Sequence, residues 1–242
     1  MKSIFLVIFS FCFLSCRSNT PVTTQPEHTV QTDKHVQEKP KEAPTNLVIE
    51  GDLGTIDEAL VQRKFNESRE QVNACIHHGI ENSDYVGGTL YFTFRIAMDG
   101  TVKNLDMKST VGHRAIEACM YAFAKQLQFP KPEGGEAQVN FTWSFDPATD
   151  VGHVWDASKL GSAYTKMRSK MIRCSDGSQE APSEFQVIFY VLPDAELGPV
   201  GVSSGKSLVS DKFYKCVTAA IKSAKLPDPL GNVARVTIDI AP

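Results

Sequence analysis

Cysteine is the residue type in this chain whose spacing best suits covalent chemistry. Of six cysteines, four form two similarly spaced pairs, Cys75 with Cys119 and Cys174 with Cys216. A zinc site needs closer ligand spacing with histidine nearby, and redox sites commonly use a Cys-x-x-Cys motif that this chain lacks. In an exported protein the pattern therefore predicts one disulfide within each pair. Four buried free thiols remain the alternative.

A further cysteine, Cys16, ends the N-terminal apolar segment. A basic start at Lys2 precedes an apolar run from Ser3 to Leu14, which is too short for an ordinary membrane-spanning helix. The end of this run resembles the bacterial lipobox, which implies a signal peptide over residues 1–15 and a lipid anchor on Cys16. Arg17 follows instead of the Asp that retains enteric lipoproteins in the inner membrane, so we expect a periplasmic protein held at the outer membrane. A plain secretory signal is the alternative, and it also exports the chain.

The other reactive side chains do not form a catalytic group. His77 and His78 are adjacent, so they point to different sides of a helix, and a role at the helix end is favoured over metal chelation. Ser109 has no base implied beside it that would make it a nucleophile. We therefore predict no catalytic residue, no metal and no cofactor. Trp155, in an apparent linker, is a candidate contact residue, with packing as the alternative.

An internal repeat organises the rest of the chain. The 97 positions that separate Cys119 from Cys216 also separate Pro130 from Pro227, and a run of further matches follows. We predict a lipid anchor and disordered polar tether over residues 16–48, a first domain over 49–148, a linker over 149–159 and a second domain over 160–242.

Apolar periodicity predicts the same elements twice, in the order helix, hairpin, helix, strand. Asp99 and Gly100 carry the signal of a tight turn in the first hairpin. The predicted segments are Ile56–Ile80, Thr89–Ile96, Val102–Ser109, Arg114–Gln128 and Gln138–Phe145, then Leu160–Cys174, Phe185–Leu192, Gly198–Ser204, Asp211–Ala224 and Ala234–Ile240. The expected fold class is α+β, with two tandem domains that each have a three-stranded antiparallel sheet and two helices on one face.

Several local motifs in the first copy resemble a known family. They are the segment Gly54–Asp57, Cys75 near a helix end, the strand Gly88–Phe94, the turn Asp99–Val102, Cys119, and Phe129–Gly135 before the last strand. Together they resemble the AgmX/PglI C-terminal domain, a relative of the TonB C-terminal domain, and the second copy is similar more faintly. The resemblance implies tandem TonB C-terminal-like domains that act without catalysis, by adding a strand to a partner peptide.

The composition and the resemblance suggest a binding role. With 25 basic and 28 acidic residues, the chain has no basic excess for nucleic acid. Our leading hypothesis is a non-enzymatic adaptor or scaffold lipoprotein that binds envelope proteins at a sheet edge, in a gliding-motility or other envelope-spanning complex. It would contact the membrane through its lipid alone, and the partner-binding residues are not identified by the sequence. The alternatives are a small-ligand carrier or enzyme with a site between the domains near Trp155, and a structural spacer.

Overall fold

From Leu47 onward the chain forms two sheets, each packed against its own helices. A computed structural model describes Leu47–Glu50 and residues 54–175 and 181–241. These residues belong to one compact unit, Ala43–Pro242. The predicted signal peptide, Cys16 and the predicted tether as far as residue 46 lie outside the described residues. Within the described part of the chain, no helix combines the length and apolar character that crossing a membrane requires.

The first sheet has four strands in the spatial order β1-β4-β2-β3, and all neighbours are antiparallel. Three helices accompany it. The elements of this first repeat are β1 Leu47–Glu50, α1 Glu58–Glu67, α2 Arg69–Ile80, β2 Gly88–Ile96, β3 Val102–Ser109, α3 Arg114–Lys125 and β4 Ala137–Phe145.

The second sheet also has four strands, in the order β5-β8-β6-β7. Here β5 runs parallel to β8, whereas the other pairs are antiparallel. Short 3-10 helices at Ala157–Leu160 and Pro193–Ala195 supplement these elements. The second repeat consists of β5 His153–Trp155, α4 Ser162–Ser175, β6 Phe185–Val191, β7 Leu197–Ser203, α5 Asp211–Lys222 and β8 Ala234–Ile240.

The predicted α+β class is confirmed, but the prediction of three strands per sheet is wrong. Each sheet gains an outer strand: β1 begins inside the predicted tether, and β5 lies inside the predicted linker. These strands have 4 and 3 residues, which is too short for alternation to be visible in a sequence. They depend on pairing with a neighbouring strand, more than on intrinsic preference.

The predicted single helix Ile56–Ile80 is also wrong, because it is two helices that meet at Ser68. The hydroxyl of Ser68 donates to the carbonyl oxygen of Lys64 at 2.8 Å. Serine that bonds back to the preceding turn bends helices and competes with their regular hydrogen bonding. Asp57 caps the first helix by accepting from the backbone N–H of Leu60 at 3.0 Å.

One face of the first sheet carries the core of that repeat. Along β2 every second side chain is buried, and the helices cover the same face, as an amphipathic sheet requires. Tyr91 on the opposite face is 46% exposed. The buried residues of this core include Val61, Phe65, Leu90, Phe92, Phe94, Ile116, Met120 and Val139.

The predicted Asp-Gly turn is confirmed in the first hairpin. Asp99 Oδ1 accepts from the backbone N–H of Thr101 at 2.9 Å and from its hydroxyl, and these bonds lower the pKa of Asp99. Gly100 has φ +88°, a conformation in which side chains other than glycine are strained. Turn chemistry therefore accounts for both residues.

Strand β6 of the second sheet is buried on both faces, because its outer face packs on the first repeat. Phe189 lies in the second core, whereas Tyr190 packs with the first core and its hydroxyl donates to the carbonyl oxygen of Val111 at 3.0 Å. Gly112, at φ +73°, approaches Ile188 so closely that a Cβ would lie 2.4 Å from Ile188 Cγ2. The two repeats thus share a closely packed contact.

Equivalent positions of the two repeats meet at this contact. The guanidinium of Arg114 donates to the carboxylate of Asp211 at 2.8 Å and to the carbonyl oxygen of Val209 at 2.9 Å. Arg114 and Asp211 are 97 residues apart, the repeat distance. The rest of the contact is not symmetric, because Ile188 and Tyr190 of the second sheet pack on the first repeat, whereas Tyr91 on the outer face of the first sheet is exposed.

Substituting Gly201 by alanine tests this packing. A Cβ at Gly201 would lie 2.4 Å from the carboxylate of Glu117 and 2.6 Å from Gly112 Cα, both in the first repeat. We expect a loss of about 1–3 kcal/mol in the free energy of unfolding, as overpacking usually causes. Gly198→Ala is the control, because its Cβ would meet side-chain atoms at 3.1 Å or more. Equal urea midpoints for the two variants would contradict the close contact.

Candidate functional site at a sheet edge

The inner edges of the two sheets cover each other. The backbone N–H of Met107 on β3 donates to the carbonyl oxygen of Lys206 just beyond β7 at 2.8 Å, and that of Ser109 donates to Ser203 Oγ at 3.0 Å. Exposed edges of this kind recruit other strands. Because this contact covers the end of β3 at Met107–Ser109, we consider the outer edges, beside β4 and β8, as the candidate places for an added strand.

The outer edge of β4 is only half covered. Strand β1 pairs with it from Leu47 opposite Phe141 to Glu50 opposite Gln138. Strand β4 continues to Phe145, with β2 on its other side. Among the described residues, no strand pairs with the outer side of Thr142–Phe145. Within the described part of the chain, this stretch is therefore open to the addition of an extended segment.

A groove of about 500 Å³ runs along this open stretch, between β4 and helices α1 and α2. It combines apolar side chains in the floor with polar side chains on the rim. The lining residues are Gln62, Phe65, Asn66, Arg69, Val72, Asn73, Ile76 and the strand segment from Phe141 to Phe145. A groove of this composition suits a segment that pairs through its backbone and inserts alternate side chains.

The aromatic floor of the groove is anchored in the core. The ring of Phe65 stacks on Phe141 with centroids 3.7 Å apart and meets Trp143 edge to face at 5.4 Å. Trp143 also packs near Phe123 at 6.4 Å. Phe65 is 2% exposed, whereas Trp143 is half-buried. Trp143 thus presents a fixed apolar surface to an incoming segment, and such preorganisation lowers the entropic cost of binding.

The corresponding edge of the second sheet has an open stretch of the same length. There β5 pairs with Ala234–Val236, and β8 continues to Ile240, so among the described residues no strand pairs with the outer side of Thr237–Ile240. Arg168 on α4 donates to the carbonyl oxygen of Ala241 at 3.1 Å, which ties the helix to the end of that strand. By the repeat alignment, Ile240 replaces the groove tryptophan, Trp143. The first repeat is therefore the better candidate for the binding edge.

Both predicted cysteine pairs lie at disulfide distance. Cys75 joins α2 to Cys119 on α3, and Cys174 joins α4 to Cys216 on α5. The alternative of free thiols is not supported, and the bridges fit an oxidising compartment outside the cytoplasm. In the first repeat the bridge also fixes the groove wall, because Ile76 adjoins Cys75 on α2.

A carboxyl group is buried where the two repeats meet. Glu117 is 1% exposed, and its Oε1 accepts from the hydroxyl of Ser109 at 2.7 Å. Its Oε2 has no hydrogen-bond partner among the described residues. Burial raises the pKa of Glu117 to about 7, although the Ser109 hydroxyl and the nearby Arg114 guanidinium oppose the shift. Because Ser109 is 2% exposed, this pair is a structural group out of reach of a substrate.

The remaining candidate residues are dispersed. His77 and His78 are exposed at the end of α2, and no group of three or more potential metal ligands occurs in the described residues. Trp155 lies on β5, at the opposite edge of its sheet from β7, and packs against the second core. The predicted alternative of a site between the domains near Trp155 therefore gains no geometric support.

A larger depression of about 690 Å³ lies in the second repeat, beside the start of α5. Serine hydroxyls dominate its lining, with Glu184 and Lys206 as its charged side chains, and the lining contains no aromatic residue. For an extended segment with apolar side chains, this depression is therefore a weaker candidate than the groove beside β4.

Two features of the site region escaped sequence analysis. Strand β1 left a signal, since Leu47, Val48 and Ile49 form a short apolar run after a long polar segment. The burial of Glu117 has almost no signal in the sequence, because a single acidic residue beside an apolar helical stripe normally faces solvent.

Comparison of the chain with protein-family models, with curated proteins and with solved structures gives no significant match.

Proposed function

We propose that this protein is a non-enzymatic envelope lipoprotein that serves as an adaptor or scaffold by binding an extended segment of a partner protein at the edge of β4. The observation that carries this proposal is the open stretch Thr142–Phe145 beside an apolar groove. Backbone pairing would give affinity, and the groove would select the partner's side chains. As part of this proposal, the two repeats are TonB C-terminal-like domains.

The anchor and compartment in this proposal come from the N-terminal sequence. Lipidation of Cys16 would hold the protein at a membrane, which we propose is the outer membrane facing the periplasm. The two disulfides support an oxidising compartment. The partners would be other envelope proteins, including components of a gliding-motility or other envelope-spanning complex.

Site-specific photo-crosslinking in the native cells tests the proposed edge. A photoreactive phenylalanine analogue at Ser144, an exposed groove position, should give an adduct of discrete mass. Mass spectrometry should place the crosslink in an extended segment of an envelope protein. Leu230 is the control position, because it is 83% exposed and would capture nonspecific apolar contacts. Equal labelling from both positions, or none from Ser144, would contradict the proposal.

A further inference from the structure

We propose that β1 is an exchangeable occupant of the binding edge: the chain's own strand Leu47–Glu50 covers part of β4, and a partner segment binds by replacing it. This inference rests on the proposed function, and it adds a means of regulating the same site. The edge would then be partly blocked within the molecule until a competing strand arrives.

The position of β1 makes it the most easily exchanged strand of its sheet. It is the outermost strand, so it has a single neighbour, β4. The pairing covers four residues, from Leu47 to Glu50. The helices and strands of the core follow only after residue 54. Short terminal strands with one partner open at much lower free energy than the core of a domain, so β1 can leave while the remaining sheet stays intact.

The length of β4 favours a longer competitor. With β1 in place, a partner strand can pair only with Thr142–Phe145. Once β1 has left, the whole edge from Gln138 to Phe145 is accessible, which is twice the length. A partner that pairs along the full edge forms hydrogen bonds with the residues that β1 has left and also with the open stretch Thr142–Phe145. Exchange is therefore expected to favour a partner of about eight residues over a shorter one.

The sequence of β1 indicates the chemistry of the competitor. Leu47, Val48 and Ile49 are branched aliphatic residues, and Glu50 follows. Branched aliphatic side chains suit a pleated, half-buried edge. The groove beside the open stretch has Phe65 and Trp143 in its lining. A partner segment is thus expected to be extended and rich in branched aliphatic residues, with an apolar residue for the aromatic floor.

Exchange would also change the reach of the predicted tether. Release of β1 would free the four residues Leu47–Glu50 that pairing holds against β4. At about 3.3–3.6 Å per extended residue, the reach from the predicted anchor could increase by up to roughly 14 Å. Because both depend on β1, partner binding would be coupled to the distance between the first repeat and the membrane.

A fluorescent peptide with the sequence of residues 44–51 tests the exchange on the full-length chain. In the wild type the attached strand competes with the peptide at a high effective concentration. Val48→Pro should weaken β1, because proline holds φ at about −65°, far from the extended value of a strand, and has no backbone N–H; Val48 pairs opposite Asn140. We expect the variant to bind the peptide at least about tenfold more tightly than the wild type. Val30→Pro, a change of the same kind in the predicted tether, should bind as the wild type does.

The outcomes separate this inference from the proposed function. Binding of equal affinity by wild type and Val48→Pro would overturn the exchange and leave the binding edge in place. Absence of binding by every variant, together with no crosslinking from Ser144, would overturn both. Ile49→Gly provides a second weakened strand if the proline variant does not fold. A wild-type dimer in light scattering would mean that a second copy fills the edge, and would overturn exchange within one chain.

Discussion

Replacing Cys75 and Cys119 together by serine is expected to lower the free energy of unfolding by about 4 kcal/mol. The bridge closes a separation of 44 residues, and the chain-entropy model assigns about this stabilisation to a loop of that length. A loss of this size is a large fraction of the total stability of a typical domain. Urea unfolding of the variant and the wild type at one pH measures it.

The second bridge supplies the matched comparison. Cys174 and Cys216 are 42 residues apart, so the corresponding double serine variant should lose nearly the same free energy. The two variants should differ in binding, because only the first bridge holds the groove wall on α2. A loss under about 1 kcal/mol for either variant would contradict a stabilising role for that bridge.

Substituting Glu117 by glutamine should abolish a pH dependence of stability. The native pKa of about 7 lies above the ordinary value of 4.5, so the folded state binds the proton more tightly than the unfolded state. The resulting stabilisation is fully present below pH 4.5 and is lost as the pH rises through 7. Because one pKa unit corresponds to about 1.4 kcal/mol, the wild type should lose about 3 kcal/mol between pH 4.5 and pH 8 relative to Glu117→Gln.

This comparison cancels the titration of all other groups. Glutamine preserves the shape of the side chain and its acceptor for the hydroxyl of Ser109, and it is neutral at every pH. Above pH 7 the glutamine variant should be the more stable protein. Glu81→Gln is the control, because Glu81 is exposed and should leave the pH profile unchanged. Parallel profiles for the wild type and Glu117→Gln would contradict an elevated pKa at the contact between repeats.

The long elements could be predicted from the sequence because each has a distinct apolar period. Alternation in β2 and the Asp-Gly turn placed the first hairpin, and β8 was predicted with the bounds that the structure shows. The matched cysteines were correctly paired because both repeats placed them on facing helices. Periodicity and repetition carry this information within a single sequence.

The outer strands and the contact between repeats depend on tertiary structure, so they could not be predicted. Strands β1 and β5 are too short for a pattern, and only their pairing with β4 and β8 holds them. The burial of Ile188 and Tyr190 on β6 depends on the first repeat covering the second sheet. The sequence of this strand is continuously apolar, which does not show which element covers its second face.

The contact between repeats makes their roles unequal. The second repeat packs Ile188 and Tyr190 of β6 against the first repeat, and at its outer edge Ile240 replaces the groove tryptophan. The first repeat keeps one half-open edge with the aromatic groove of Phe65 and Trp143. We infer that the second repeat acts as a support for the first, and that binding centres on the edge of β4.

Amide hydrogen exchange of the full-length chain bound to the protein captured from Ser144 tests this central claim most directly. An added strand must form hydrogen bonds with the backbone of β4, so exchange at Thr142–Phe145 should slow strongly on binding. Exchange around Ser204–Ser210, in the depression of the second repeat, should not change. Protection at that depression, with no change along β4, would contradict partner binding by strand addition.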